Sequence, residues 1–232
     1  KFVKIIYCPP NTLLESMSKK LKKSRIDVGA QNCHEQENYG AFTGSINPIM
    51  LKSVGAKYVI LPSIPSDQRQ NLDQYKKMAD RFNTIGEAAK KEGVLFAYHN
   101  HGYGFTENKG IIPIHYIFEN TDPDLVFLEM DIFWTLGAGQ NPVDLLNKYP
   151  NRYKLMHLKD MKEKLTFDGD GENPQQWYKL FPNMTSCGNG IADLKSIIET
   201  AKKVGVKHFY VEQDMAKNPE VVLQESFEYL SK

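Results

Sequence analysis

The 232-residue chain is poor in several things, and each absence narrows what it can be. It has three cysteines, Cys8, Cys33 and Cys187, widely separated and with no C-x-x-C pair. An odd, scattered set argues for free thiols in a reducing compartment, and against a disulfide framework or a zinc knuckle. Net charge is nearly absent, with 29 basic and 28 acidic residues. Neither nucleic acid nor an anionic membrane surface is favoured by that balance. No apolar run reaches the length needed to cross a bilayer, and no signal peptide is expected at the start, so a cytoplasmic protein is expected. Apolar residues at 41% and charged residues at 25% are the balance of a globular protein.

What is present is a repeat: a short apolar run, then an amphipathic stretch. The runs are Phe2–Cys8, Ile26–Cys33, Lys57–Leu61, Val94–His99, Leu125–Asp131, Tyr153–Leu158 and His208–Glu212. They are rich in β-branched and aromatic residues and predict strands buried on both faces, as in a parallel sheet. The helical stretches are Leu14–Lys23, Pro48–Val54, Leu72–Lys91, Ile112–Asn120, Pro142–Lys148, Ile191–Val204 and Pro219–Leu230. In the longest, Tyr75, Met78, Ala79, Phe82, Ile85 and Ala89 share one face, and Gly93 ends it. Asn141-Pro142 and Asn218-Pro219 have the form of helix starts.

Repeated β-then-α units predict an α/β protein, a parallel (β/α)8-type TIM barrel forming one domain over residues 1–232. Seven units are counted where a closed barrel has eight, and the chain is shorter than the ~250 residues typical of the class. Either the barrel lacks a unit or one hides in Met161–Gly190, a polar stretch read here as a loop. With a unit missing, Phe2–Cys8 and His208–Glu212 would be open edges, to be paired across a narrowed barrel or covered by a neighbouring chain.

Two resemblances divide the chain. Cys8-Pro9-Pro10, Gly29-Ala30-Gln31-Asn32-Cys33, Tyr39-Gly40-Ala41-Phe42-Thr43-Gly44 and Gly55-Ala56-Lys57-Tyr58-Val59-Ile60-Leu61 make residues 3–61 resemble triosephosphate isomerase. That family's phosphate-holding Asn-x-Lys, catalytic histidine and glutamate base are absent: Leu61 is followed by Pro62-Ser63-Ile64-Pro65. Triosephosphate isomerisation is therefore disfavoured. The resemblance implies a dimer contact through the loop at residues 31–44.

Phe96-Ala97-Tyr98-His99-Asn100-His101, Glu129-Met130-Asp131-Ile132-Phe133-Trp134, Met156-His157-Leu158-Lys159-Asp160 and Val211-Glu212-Gln213-Asp214 make residues 57–232 similar to a second family. These are the xylose-isomerase-like sugar phosphate isomerases and epimerases. Lys57–Leu61 satisfies both families, and the simplest account is an engineered chimera of two barrel fragments, with natural recombination as the alternative.

In a parallel barrel the active site lies at the C-terminal strand ends. Alternation puts Glu129 with Asp131, His157 with Lys159, Glu212 with Asp214, and His99 with His101 on shared faces. Asp131, His157 and Glu212, one from each strand end, suit an oxygen and imidazole metal site. The resemblance implies the same three positions and a divalent ion, Mn, Mg or Zn, acting on a small carbohydrate. Better-known members carry a glutamate as fourth ligand where this chain has His99. One proton-transfer carboxylate is thereby lost, which counts against two-base epimerisation and leaves lyase, dehydratase or histidine-assisted isomerase chemistry. Glu212, His99 and Lys159 are the expected catalytic groups. His101 and Trp134 are expected to hold substrate, although Trp134 equally suits core packing. Glu129 is either a ligand or a carboxylate satisfied by Lys154 or Lys159. His34 and His115 are expected at the surface, His208 in packing, and Asp168–Glu172 in a solvated loop.

Overall fold

The structure, a computed structural model, describes residues 5–7, 9–29 and 48–232. Cys8, Cys33, His34 and the loop at residues 31–44 lie outside the described residues, and with them the expected dimer contact.

Among the described residues nine strands are interspersed with helices. The order is β1 (Ile5–Tyr7), α1 (Leu14–Leu21), β2 (Ile26–Val28), α2 (Pro48–Ser53), β3 (Tyr58–Leu61), α3 (Leu72–Lys91), β4 (Leu95–His99) and α4 (Pro113–Glu119). Then come β5 (Val126–Asp131), α5 (Ile132–Gly137), α6 (Pro142–Lys148), β6 (Tyr153–Leu158), β7 (Asp160–Met161), α7 (Pro174–Leu180), β8 (Met184–Thr185), α8 (Leu194–Val204), β9 (His208–Val211) and α9 (Pro219–Leu230).

Strands β3-β4-β5-β6-β9 form one five-stranded sheet, parallel at every pairing. Its strands are joined through helices, as parallel neighbours require. β1 and β2 form a separate parallel pair. Among the described residues no ladder joins β1 to β9, so the expected direct pairing of those two edges is not found.

The sheet's two faces differ in chemistry. Phe96, Tyr98, Val126, Leu128, Met130, Met156 and Leu158 join the main core with Tyr75, Met78, Phe82, Ile114, Ile117 and Leu194 from the helices. Phe82 of α3 meets Phe96 edge-on, with ring centroids 5.4 Å apart. Close approach of α3 to the start of β5 depends on Gly86, where a Cβ would lie 2.7 Å from the Leu125 carbonyl oxygen. The alternate residues Ala97, His99, Glu129, Asp131, Leu155 and His157 point to the other face. The ladder sets His99 beside Glu129, and Asp131 beside His157. Between Leu128 and Glu129 the register shifts by one, Leu128 facing Tyr153 and Glu129 facing Leu155, so the extra residue is Lys154 of β6.

The stretch Met161–Gly190 corrects the loop reading. It contains α7, started by a capping box in which Asn173 and Gln176 satisfy each other's backbone. It also contains β8, which pairs antiparallel with β7 and, among the described residues, joins no parallel ladder. Asp168 and Lys179 are exposed partners there, but Phe167 is buried and packs tightly on Gly102. α5 is a second helix that the periodicity did not predict. At α6 the Asn141 side chain accepts from the Val143 N–H, as expected of an N-cap. Asn218 occupies the N-cap of α9 without making that bond. His115 is half-buried rather than at the surface, with Nδ1 2.8 Å from Lys148 Nζ. No helix among the described residues is long and apolar enough to cross a membrane.

Candidate functional site

The carboxyl ends of β4, β5, β6 and β9 deliver one cluster of ionisable side chains. Asp131 is its hub. As the N-cap of α5, Asp131 accepts the Trp134 N–H with Oδ1 at 3.0 Å, which leaves Oδ2 for the cluster. Oδ2 lies 3.7 Å from His99 Nε2, 3.6 Å from His157 Nδ1 and 3.1 Å from Lys159 Nζ. Asn100 fastens the neighbouring strand ends: its Oδ1 accepts the Asp131 N–H and its amide donates to Thr135 Oγ1, both at 3.2 Å.

Glu212, just past β9, closes the cluster from the solvent side. Its Oε2 is 2.8 Å from His157 Nδ1 and 2.7 Å from Lys159 Nζ. Asp214 Oδ2 is a third anionic contact of Lys159, at 2.8 Å. The side chain of Asp131 is 0% exposed, whereas those of Glu212 and Asp214 are 44% and 36% exposed. Access is therefore from the Glu212 side.

Glu129 lies on the opposite, buried side of the histidines. Its Oε2 takes a hydrogen bond from His99 Nδ1 at 3.1 Å, and its Oε1 is 3.6 Å from His157 Nε2. Neither lysine suggested by sequence is its partner. Lys159 is engaged by three other carboxylates, and Lys154 lies over the Phe127 ring, 5.4 Å from its centroid.

Mutual charge sets the protonation states. Burial would raise the pKa of Asp131, but Lys159, His157 and His99 hold it well below the usual carboxylate range. Burial likewise opposes ionisation of Glu212, and the His157 and Lys159 contacts overcome it and bring the pKa to about 2. Burial alone would make His157 a weaker base; the contacts to Asp131 and Glu212 and the charge of Glu129 outweigh it and push the pKa up to about 10. Lys159 is raised above its ordinary value, because Asp131, Glu212 and Asp214 outweigh its burial. His101 goes the other way: burial, reinforced by His99, lowers it to about 3, so this ring is neutral.

Among the described residues two sets offer ligand atoms that lie within 4.8 Å of one another: Asp131, His157 and Glu212, and His99, Glu129 and His157. Three buried atoms in these sets, Asp131 Oδ2, His157 Nδ1 and Glu129 Oε1, make no aligned hydrogen bond. The short His157–Glu212 contact is thus ionic but poorly directed. Buried polar atoms are rarely left this way, and a cation-binding centre is one setting that accounts for Asp131 Oδ2 and His157 Nδ1 together. Oxygen and imidazole donors converging from separate strands fit a divalent ion.

Beside the charged cluster stands an aromatic one. His101 stacks on Trp177, with centroids 4.8 Å apart and planes 11° apart, and Trp134 stacks on Phe167 at 5.9 Å. Trp134 is buried with Phe133, Met161, Phe167, Leu180 and Met184, and Lys159 Nζ lies 5.8 Å from its ring centroid. The structure thus gathers Asp131, His157, Glu212, His99 and Lys159 into one contact network, with His101 and Trp134 along its edge. Trp177 and Asp214 were not singled out from sequence. Trp177 was hidden in the supposed loop, whereas Asp214 already shared an alternation face with Glu212.

Similarities to known proteins fall on two overlapping parts of the chain. The family model for the xylose isomerase-like TIM barrel matches residues 49–232, and that for triosephosphate isomerase matches residues 1–90. An inosose dehydratase of Clostridium beijerinckii is 36% identical over 107 residues, covering 42% of this chain and 35% of that protein. A triosephosphate isomerase of Clostridium novyi is 42% identical over 83 residues, covering 34% of this chain and 32% of that protein. The chain spans about a third of the length of each of these relatives. A sugar phosphate isomerase/epimerase from Parabacteroides distasonis has the same fold, with a TM-score of 0.64 at 22% identity over 98% of this chain and 95% of that one. The IOLI protein, whose crystal structure has a bound zinc atom, superposes with a TM-score of 0.67 at 17% identity, over 94% of this chain and 78% of that one. With four fifths of its length matched by one family and its parallel sheet shared with these structures, the chain belongs to the xylose isomerase-like TIM barrel family.

Proposed function

We propose that this chain is a metal-dependent enzyme acting on a sugar or sugar-derived substrate, as an isomerase, epimerase or lyase. The observation that carries this reading is the convergence of Asp131, His157 and Glu212 within 4.8 Å, with Asp131 Oδ2 and His157 Nδ1 buried and without aligned hydrogen bonds. Asp131, His157 and Glu212 would hold the ion, with His99 as the fourth ligand where other members carry glutamate. The chemistry such an ion supplies is polarisation of a carbonyl oxygen and its neighbouring hydroxyl.

The chain's own residues divide the remaining work. Glu212 is ionised and faces solvent, so it is the group placed to take a proton from the carbon beside a carbonyl. Lys159 steadies that carboxylate and remains a cation, suited to an anionic or developing negative oxygen. Neutral His101, packed on Trp177, offers a ring nitrogen for a substrate hydroxyl, beside an aromatic wall that includes Trp134. A single exposed carboxylate next to the histidines favours proton removal followed by loss of water over two-base epimerisation. The inosose dehydratase relative agrees with that preference.

A second reading has its own support. The triosephosphate isomerase match over residues 1–90 overlaps the other family model at residues 49–90, which contain the proposed join at 57–61. A barrel assembled from two parents, engineered or recombined, would carry the site as an inactive remnant.

Metal analysis of the purified protein beside His157→Ala and Glu212→Ala tests the first reading. About one divalent ion per chain, lost in both variants, is expected. Equal metal content in all three proteins removes the proposed centre.

A further inference from the structure

We propose that Glu129 is a positioning residue for the metal-ligand histidines: one buried carboxylate that holds the backs of both His99 and His157, so that their opposite nitrogens face the ion. The inference rests on the metal-centre reading above and assigns a task to a side chain that reading does not use.

The geometry is specific about which nitrogen does what. Glu129 Oε2 binds His99 Nδ1 at 3.1 Å, and the other nitrogen of that ring, Nε2, points towards Asp131 Oδ2 at 3.7 Å. Glu129 Oε1 lies 3.6 Å from His157 Nε2, and the other nitrogen, Nδ1, faces Asp131 and Glu212 at 3.6 and 2.8 Å. Oε2 thus hydrogen-bonds one ring while Oε1 lies at ion-pair distance from the other, and the second nitrogen of each ring faces Asp131 Oδ2, that of His157 facing Glu212 as well. A carboxylate behind an imidazole fixes the tautomer and the ring plane, and strengthens the ring as a ligand. The two rings are also mutual neighbours, with centroids 4.7 Å apart, so one misplaced ring displaces the other.

The rival assignment makes Glu129 a ligand itself, with His99 and His157, in a second ion site. Such a site, if it took His99 through Nδ1, would break the existing His99–Glu129 hydrogen bond, in a place where both side chains are almost fully buried. It would also use His157 Nε2, the nitrogen turned away from Asp131 and Glu212.

Co²⁺ distinguishes the two through affinity, stoichiometry and its visible absorption bands. The metal-free wild type is expected to take up one Co²⁺ per chain. Glu129→Gln, whose amide can accept from one histidine but not from both, is expected to bind one Co²⁺ about tenfold more weakly, with shifted bands. Glu129→Leu, which serves neither ring, should approach a hundredfold, within the roughly 10–100-fold that loss of such a partner costs. Unfolding midpoints without metal identify any variant that is not folded, and the Gln variant alone suffices if the Leu variant is not. Unchanged affinity and bands in a folded variant overturn the role of Glu129 but leave the metal centre standing. Two Co²⁺ per wild-type chain, falling to one in the variants, overturn it in favour of the ligand assignment. A wild type that takes up no Co²⁺ removes the metal reading and this inference together.

Discussion

Two aspartates at the mouth of the sheet are equally buried, Asp131 and Asp160 both at 0% exposure, yet their surroundings differ in kind. Asp160 is surrounded by backbone. Its Oδ1 accepts from the N–H groups of Met161 and Ala192 at 2.8 and 3.0 Å, and its Oδ2 from Gly188 and Gly190 at 2.9 and 3.1 Å. Both oxygens are satisfied, and the result ties the segment before α8 to the end of β6. Gly190 is needed for that approach, since a Cβ there would lie 2.3 Å from both Asp160 Oδ1 and the Met161 carbonyl oxygen. Asp131 is surrounded by ionisable side chains instead, and its Oδ2 has no aligned hydrogen bond. Burial by itself therefore does not separate a structural carboxylate from a chemical one. The identity of the partners, and whether every lone pair is used, does.

The sharpest way to break that contrast is to remove Asp160. Four backbone donors lose a charged acceptor, and Asp160→Ala should destabilise the protein by about 3–5 kcal/mol in urea unfolding. A loss below about 1 kcal/mol would mean that water or a neighbour replaces the carboxylate easily. Asp131→Asn should behave in the opposite sense. It keeps a cap for α5, and Lys159 keeps Glu212 and Asp214, so stability should move by no more than about 1.5 kcal/mol. Divalent-ion affinity should nevertheless fall by at least about a hundredfold, beyond the cost of losing an outer partner. Equal affinity in that variant would reduce Asp131 to a helix cap.

The smallest effect concerns pH. Backbone amides around Asp160 do not ionise, but the partners of Asp131 do. Glu212 is lowered from 4.5 to about 2 in the folded chain, so its contribution is present above pH 4.5 and disappears as pH falls towards 2. His157 is raised from 6.5 to about 10, so its contribution is complete below pH 6.5 and disappears as pH rises towards 10. Metal-free protein should therefore have both contributions together between pH 4.5 and 6.5. Urea midpoints with a chelator present check this, and a midpoint that keeps rising from pH 6.5 to 9 contradicts the charged state of His157.

Much of this was legible in the chain itself. Seven apolar runs located seven strands, because a strand buried on both faces needs a short unbroken run of β-branched and aromatic residues. α3, α6 and α9 matched their stretches end to end, since each has an amphipathic pattern or an Asn-Pro start. α5 was not legible: Ile132–Gly137 is buried nearly all round, so no polar face marks its period. α7 was hidden by the Gly, Asp and Asn around it, and its Asn173–Gln176 capping box was the available signal.

The composition and order of residues determined that this is a parallel β/α protein with acids and histidines at successive strand ends, because the period of two assigns each side chain a face whatever the neighbours are. Which groups meet was settled only in three dimensions. Glu129 could have paired with Lys154 or Lys159 as far as the linear chain shows; ladder register placed it beside His99 instead, and Lys159 went to Asp131, Glu212 and Asp214. A face is a local property of the backbone, whereas a partner depends on how far one strand is shifted against the next.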